Sequence, residues 1–565
     1  MTSAEQLDAL AAEYWEFQLR EHPTLAHDTG DRRYRRELFH ESVADYDRRV
    51  REAAVLASRL EGVPPAALTG QQRDSRQLLA RELSGIAARH RFAEHLRPNL
   101  FPESPDVSVA FAVQRTTLRD REDADDYVER LVTVPAYLDD RRARLEQGLA
   151  AGYRLPKPLL ARIAASAEAQ LGTSFEQTAW CRPFAAGTAQ DARFNDAKRR
   201  MQDLTEHKLR PSLGNWVSWL RDDYAAHCRD TIGLCDEPQG DAYYALLARE
   251  YTTTSESPDA IHAIGLSEVA RIGQEMRQVA TRAGHEGNVP AMQRELATDA
   301  RFVASSKDAL RERLELLAKR IDRRIPEYFG RIPRMTYGIE SVPEGLSQQL
   351  PPAYAQPNPA SRLSAGVFWV SGLPERCPTY MHVPITLHEA WPGHLMHIAL
   401  LQEMEQLPSF RRFGFMGYTA YIEGWGLYCE QLGHDLGLYE DPYAHYGQLE
   451  MELWRAVRLV VDTGIHARGW TRDAAVDYMA GLLTLPRPTL ESEVDRYIGM
   501  PGQALAYKIG DLKFRELRAH AENVLGERFC LRDFHDQLVA VGPVTLELLD
   551  RHVRAWVDSA KAEAA

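Results

Sequence analysis

The sequence predicts a mainly α-helical protein whose helices pack as one large bilobed body. Three observations carry that prediction. Apolar residues recur at helical spacing through most of the 565 residues. Pro and Gly fall between the periodic stretches rather than inside them. A single long stretch, 335–384, breaks the pattern. Residues 3–20 open the series, started by Ser3, with Leu7, Leu10, Ala11, Tyr14 and Phe17 or Leu19 on one face. The same periodicity predicts helices over 42–60, 70–95, 123–150, 157–171, 192–225, 240–252, 258–285 and 300–324. Val63-Pro64-Pro65 and Arg154-Leu155-Pro156 are typical separators. The 335–384 stretch is rich in Pro, Gly and Ser and holds one β-like run, Gly366–Val370. Long ordered loops of this kind are often functional. From residue 385 the chain returns to helices, ending in an Ala/Lys/Glu tail at 560–565. The chain divides loosely into an N-terminal helical region, 1–335, and a C-terminal region, 336–565, that holds the chemistry. No hydrophilic linker separates them, so one integrated fold is expected.

Composition narrows the function classes. The chain is 44% hydrophobic and 26% charged, which suits a globular protein with a large core. Its net charge of −13 argues against nucleic acid or an anionic membrane as partner. No run of eighteen apolar residues is present to span a bilayer. The first twenty residues carry Glu5, Asp8, Glu13 and Glu16 and show no basic-then-apolar leader. The six cysteines are scattered, without thiolate-zinc spacing. A cytoplasmic protein with reduced thiols is therefore expected, and a homodimer is compatible with the same data.

The chemistry-bearing stretch is His388-Glu389-Ala390-Trp391-Pro392-Gly393-His394, with His397 beyond it. Neutral imidazoles hold metal ions, and a neighbouring carboxylate can take a proton from the water that a metal acidifies. Zinc peptidases of the His-Glu-x-x-His type place two ligands at i and i+4, on one helix face. Here i+4 is Pro392, and the next histidine stands at i+6. Six residues of ideal helix rotate roughly 240°, which would point His388 and His394 apart. Pro392 offers a way out, because its ring clashes with the carbonyl of His388 and it has no N–H. Gly393 tolerates the detour. The competing reading is a helix that ends near Trp391 and restarts after Gly393, with unrelated histidines.

Two histidines need a further protein ligand. Glu423 and Glu430 lie seven residues apart in Tyr421-Ile422-Glu423-Gly424-Trp425-Gly426-Leu427-Tyr428-Cys429-Glu430, on one helical face. A carboxylate among so many apolar residues wants a cation. Glu423 as third ligand would leave Glu389 free as general base.

These segments, followed by Val461-Asp462-Thr463-Gly464-Ile465-His466, Glu493-Val494-Asp495-Arg496-Tyr497 and Pro501–Gly510, resemble the bacterial DUF885 family in order and spacing. Pro23-Thr24-Leu25-Ala26 with Gly30-Asp31 is similar to that family's start, and the run from Phe534-His535 to Trp556 to its end. Members resemble the M32 zinc carboxypeptidases, which implies a mostly helical body with a deep central groove; the β-like run Gly366–Val370 is then a small β element beside the zinc helix. The resemblance implies one Zn2+ per chain, with His388, His394 and Glu423 as ligands and Glu389 as base. The chain departs from the family in one place. Many members carry a second histidine directly after the one at 394, where this sequence has Leu395-Met396-His397. His397 is thus an alternative ligand or an outer partner, and Glu430 stands in the same position.

Candidates that face substrate follow from chemistry. Tyr507 and His466 suit an oxyanion contact, with a core tyrosine as the other reading of Tyr507. Arg458, in a Val-Arg-Leu-Val-Val-Asp run similar to an M32 motif, suits a substrate carboxylate, or else pairs with Asp462. Arg496 and Tyr497 are further substrate-binding candidates, Arg496 competing with an ion pair to Glu493 or Asp495. The leading expectation is a zinc metallopeptidase acting on short peptides, carboxypeptidase-like. A zinc amidohydrolase for a small non-peptide amide or modified amino acid, and a helical scaffold with a structural metal, are the alternatives.

Overall fold

A computed structural model describes residues 1–562 apart from 102–103, 115, 186–193, 343–346, 348–350 and 360–363. The chain is mainly α-helical with one small sheet. It divides into two compact units. The first comprises Met1–Tyr243 with two returning segments, Gly469–Thr471 and Asp495–Met500. The second comprises Tyr244–Arg468, Arg472–Val494 and Pro501–Ala565. The sequence drew its boundary near 335, where composition changes. The packing boundary falls at 243/244, inside the helix Gly240–Thr252, where no composition signal marks it.

The first unit opens with α1 (Ser3–Glu21), α2 (Val43–Glu61) and α3 (Gly70–Arg91). Thr2, rather than Ser3, caps α1. Its hydroxyl accepts the Glu5 N–H, while the Glu5 carboxylate accepts the Thr2 N–H. Leu7, Leu10, Ala11, Tyr14, Phe17 and Leu19 are all buried, as the periodicity requires. The helix expected over 123–150 is two, Arg121–Val132 and Val134–Ala150. Pro135 sits in the first turn of the second, where its missing N–H costs nothing. The helix expected over 192–225 begins among the described residues at Asn195 and passes through a wider π turn at Thr205–Leu209; residues 192–193 lie outside them.

The second unit contains α4 (Pro258–Arg282) and then the sheet: β1 (Tyr337–Ser341), β2 (Ala353–Gln356) and β3 (Gly366–Val370). The strand order is β1-β3-β2. β1 runs parallel to β3, with Tyr337 opposite Gly366, and β2 antiparallel, with Ala353 opposite Val370. Gly366, Phe368 and Val370 alternate inward. Then come α5 (His382–Glu389), α6 (His394–Gln402), α7 (Thr419–Asp435), α8 (Pro442–Arg468), α9 (Ala506–Leu525) and α10 (Leu546–Ala562). The sheet packs beside α6, with Gly366 directly against the Leu395 side chain. Among the described residues, no helix is long and apolar enough to cross a membrane.

α8 is the axis of this unit. Every residue from Tyr446 to His466 is buried, yet eight of them are Gln448, Glu450, Glu452, Arg455, Arg458, Asp462, Thr463 and His466. Buried polar groups must find partners. Glu452 is held by Lys508 at 2.7 Å, Arg515 at 2.7 Å and Arg271. Lys508, with no exposed surface, also meets Asp511 at 2.7 Å and Glu268 at 3.0 Å. This network joins α4, α8 and α9. The Asp462 carboxylate accepts the Tyr244 hydroxyl at 2.5 Å and the Gly502 N–H at 3.0 Å.

Removing one partner of such a buried ion pair strands the others in a medium that does not solvate them. Lys508→Met should therefore cost about 3–5 kcal/mol of folding stability in denaturant titration. A loss below 1 kcal/mol would show that the cluster does not need its ammonium.

Candidate metal centre

The detour read from Pro392 and Gly393 is present. α5 stops at Glu389, residues 390–393 turn, and α6 starts at His394. The helix does break and restart, as the competing reading held, but the break brings the two histidines together. Their rings meet nearly perpendicular, with centroids 4.7 Å apart. The Trp391–Pro392 peptide bond is cis. A Cβ on Gly393 would fall 1.9 Å from the His388 carbonyl oxygen, so the turn closes only with glycine there. From α7 the Trp425 indole donates to the Pro392 carbonyl at 3.0 Å, pinning the turn.

α7 supplies the third group. One ligand atom each from His388, His394 and Glu423 lie within 4.8 Å of one another. Glu423 Oε2 stands 3.6 Å from His388 Nε2 and 3.4 Å from His394 Nε2. Donors about 2.0–2.1 Å from a tetrahedral zinc ion stand roughly 3.4 Å apart, so the spacing fits such an ion. His388 and His394 are buried, while the Glu423 side chain keeps 18% exposure, which leaves the cluster a way out to solvent. Among the described residues no other group of three such donors converges.

The electrostatics fit the same reading. Burial would lower the His388 imidazole, but hydrogen bonds to Glu423 and Glu430 and the Glu389 charge outweigh it and raise it to about 10. Burial would raise the Glu423 carboxyl, but His388 and His394 hold it well below the usual carboxylate range. The three groups gather positive charge, which a metal cation supplies without a proton.

Glu430, one face-repeat beyond Glu423, is not in the cluster. It accepts from His388 Nδ1 at 2.8 Å. A carboxylate can only accept, so Nδ1 carries a hydrogen, and Nε2, which faces Glu423, is the nitrogen left to bind a cation. Glu430 is itself steadied by Arg455 of α8, 3.6 Å away, and its carbonyl accepts the Tyr439 hydroxyl at 2.6 Å. Gly426 lies between the two carboxylates on α7. A Cβ there would fall 2.6–2.9 Å from three atoms of the His388 ring. α9 crosses α7 at a pair of glycines, Gly424 and Gly510, so close that a Cβ on either would overlap the other helix.

The remaining sequence candidates are placed as follows. Glu389 ends α5 and is half-buried. Tyr507 is buried, one turn before the Gly510 crossing, and its ring lies 4.5 Å from the Arg458 guanidinium. Arg458 also stacks on Trp454 and donates to Glu493 at 3.0 Å. His466 is fully buried with its ring 5.2 Å from that of Tyr244. His397 is buried, stacked on Tyr421 and tilted against Trp425, apart from the ligand cluster. Arg496 and Tyr497 belong to the Asp495–Met500 segment of the first unit, whereas the cluster is built in the second. Sequence reasoning passed over Arg455 and Gly426. Gly426 had a signal, a second glycine in Glu-Gly-Trp-Gly at a helical position that glycine disfavours. Arg455 had none beyond its place one turn before Arg458.

Comparison with known proteins sets this site in context. A crystal structure described as that of "the putative lipoprotein from Colwellia psychrerythraea" matches with a TM-score of 0.92 and 26% identity, over 99% of this chain and 100% of that one. Another, described as "a putative lipoprotein of unknown function from Shewanella oneidensis", shares the fold at a TM-score of 0.73 and 15% identity, over 98% and 99%. No functionally curated protein matches the sequence. The expectation of a cytoplasmic protein is corrected by the Colwellia psychrerythraea structure, which is described as a "putative lipoprotein". It rested on the first twenty residues showing no leader, which is no guide to where a chain works. The family model described as "Bacterial protein of unknown function (DUF885)" matches residues 23–553, and the chain belongs to that family.

Proposed function

We propose that the protein is a zinc-dependent peptidase that hydrolyses short peptides. The observation that carries this reading is the convergence of His388, His394 and Glu423, with Glu389 directly beside a ligand and partly open to solvent. Three donors, and no fourth among the described residues of the cluster, leave a coordination position for catalysis and disfavour a closed structural site. The ion would supply Lewis acidity, lowering the pKa of water and polarising a carbonyl oxygen. Glu389 takes the proton of the attacking water and delivers it to the amide nitrogen as the C–N bond breaks. Tyr507 is favoured over His466 for the oxyanion, because α9 crosses α7 beside Glu423 and His466 is fully enclosed. The carboxypeptidase form of the proposal hangs on Arg458, whose guanidinium is fixed between two aromatic faces and shared with Glu493. The likeness to a protein described as a lipoprotein extends the proposal to peptides met outside the cytoplasm.

Glu389→Gln should lower kcat on a peptide mixture by at least about a hundredfold, with zinc content unchanged. Loss of zinc in that variant would make Glu389 a ligand instead, and a wild-type protein that leaves every peptide intact would overturn the peptidase reading. Gly426→Ala replaces a poor helix former by a good one, so helix propensity favours it. It should nevertheless cost at least about tenfold in zinc affinity, measured against a competing chelator, because the new methyl displaces His388. Arg458→Lys should abolish any preference for free over amidated C-termini, since an ammonium cannot make the bidentate contact. An unchanged preference removes the carboxypeptidase form.

A further inference from the structure

His397 presents an anomaly that the ligand set does not absorb. It is 1% exposed, and neither ring nitrogen has a hydrogen-bond partner among the described residues. Buried polar groups are almost always paired. One turn earlier on the same helix, His394 Nδ1 is likewise buried and without a partner. His394 turns its Nε2 to Glu423, so with a metal on Nε2 the hydrogen must sit on Nδ1. Ligating histidines nearly always donate that second N–H to an acceptor, as His388 does to Glu430.

The neighbours leave few acceptors. Tyr421 stacks on His397 and Trp425 lies tilted against it, at centroid distances of 5.3 and 5.9 Å. The Tyr421 hydroxyl donates to the Leu538 carbonyl, and the Trp425 indole N–H to the Pro392 carbonyl. An imidazole enclosed by aromatic rings keeps, in its neutral form, one nitrogen able to accept. A neutral imidazole is both a donor and an acceptor.

We propose that His397 is a positioning residue for the metal site, accepting the His394 Nδ1–H directly or across one buried water molecule. The inference rests on the metal reading above and deepens it. The two ligating histidines are then braced unequally: His388 by a carboxylate, His394 by an uncharged ring. A carboxylate makes its imidazole the stronger electron donor, so the two metal–nitrogen bonds differ in character.

The test uses the full chain and zinc alone. Zinc affinity is measured by chelator competition, and the visible spectrum of the Co2+-loaded protein reports ligand geometry. His397→Phe keeps the aromatic contacts with Tyr421 and Trp425 and removes the acceptor. It should bind zinc about 10–100-fold more weakly and shift the Co2+ spectrum. His397→Gln restores an acceptor and should recover most of that affinity. His397→Phe with wild-type affinity and spectrum overturns the proposal. So does His397→Gln losing as much as His397→Phe, which would make the effect one of volume. Should His397→Phe not fold, His397→Leu against His397→Gln makes the same comparison. A wild-type protein that binds no zinc overturns the metal reading itself, a result distinct from either of these.

Discussion

Two carboxylates on one buried helix hold one imidazole between them, and the candidate centre is arranged around that clamp. Glu430 takes the hydrogen of His388 Nδ1, and Glu423 faces its Nε2. Their seven-residue separation is two helical turns, about 10.5 Å of rise, which spans an imidazole with room for a cation beyond it. The ring must then lie close against the helix backbone between them, and the bare backbone at Gly426 admits it. The remaining geometry follows. His394 must reach the same point from the next helix, which the turn at 390–393 accomplishes, and α7 must stay fixed relative to α9, which the Gly424–Gly510 crossing enforces.

Behind the clamp stands α8, a helix buried along its whole middle and dense with charge. Its Arg455 meets Glu430, and its Glu452 meets Lys508, Arg271 and Arg515. Such pairs give little net stability compared with apolar packing, but misplacing any one of them is costly. Register along α8 is therefore fixed by charge as well as by shape. The orientation of Glu430, and through it of His388, is tied to a network that extends to α4 and α9.

Much of this was legible in the sequence, for identifiable reasons. The His-Glu motif, the Pro-Gly detour and the paired glutamates are local signals with fixed spacing. The run Gly366–Val370 is a strand over those very residues because its β-branched and aromatic side chains alternate. β1 and β2 were missed, since Tyr337–Ser341 and Ala353–Gln356 carry glycine, alanine and serine and gain their strand character from pairing with β3. The split at Thr133 was hidden because helical periodicity continues across it. Arg455 was invisible because its role depends on which helix lies opposite, and no sequence spacing encodes that. The distinct placement of His397 could not be read either. Its spacing from His394 suits a ligand as well as a brace, and its place beside Tyr421 and Trp425 depends on how α6 packs against α7.

The two short segments that return to the first unit set the order in which the chain can finish folding. Domains usually fold as units while synthesis proceeds from the N-terminus. Here the first unit gains Gly469–Thr471 only after Tyr244–Arg468 has been made, and Asp495–Met500 only after Arg472–Val494. Residues 1–243 must wait, incomplete, while more than two hundred further residues emerge. No single cut yields both units whole, and a fragment beginning at Tyr244 would carry two pieces of a unit it lacks. Two bodies that are compact in space are thus interleaved in time, the second still lacking Pro501–Ala565 when the first has its last piece.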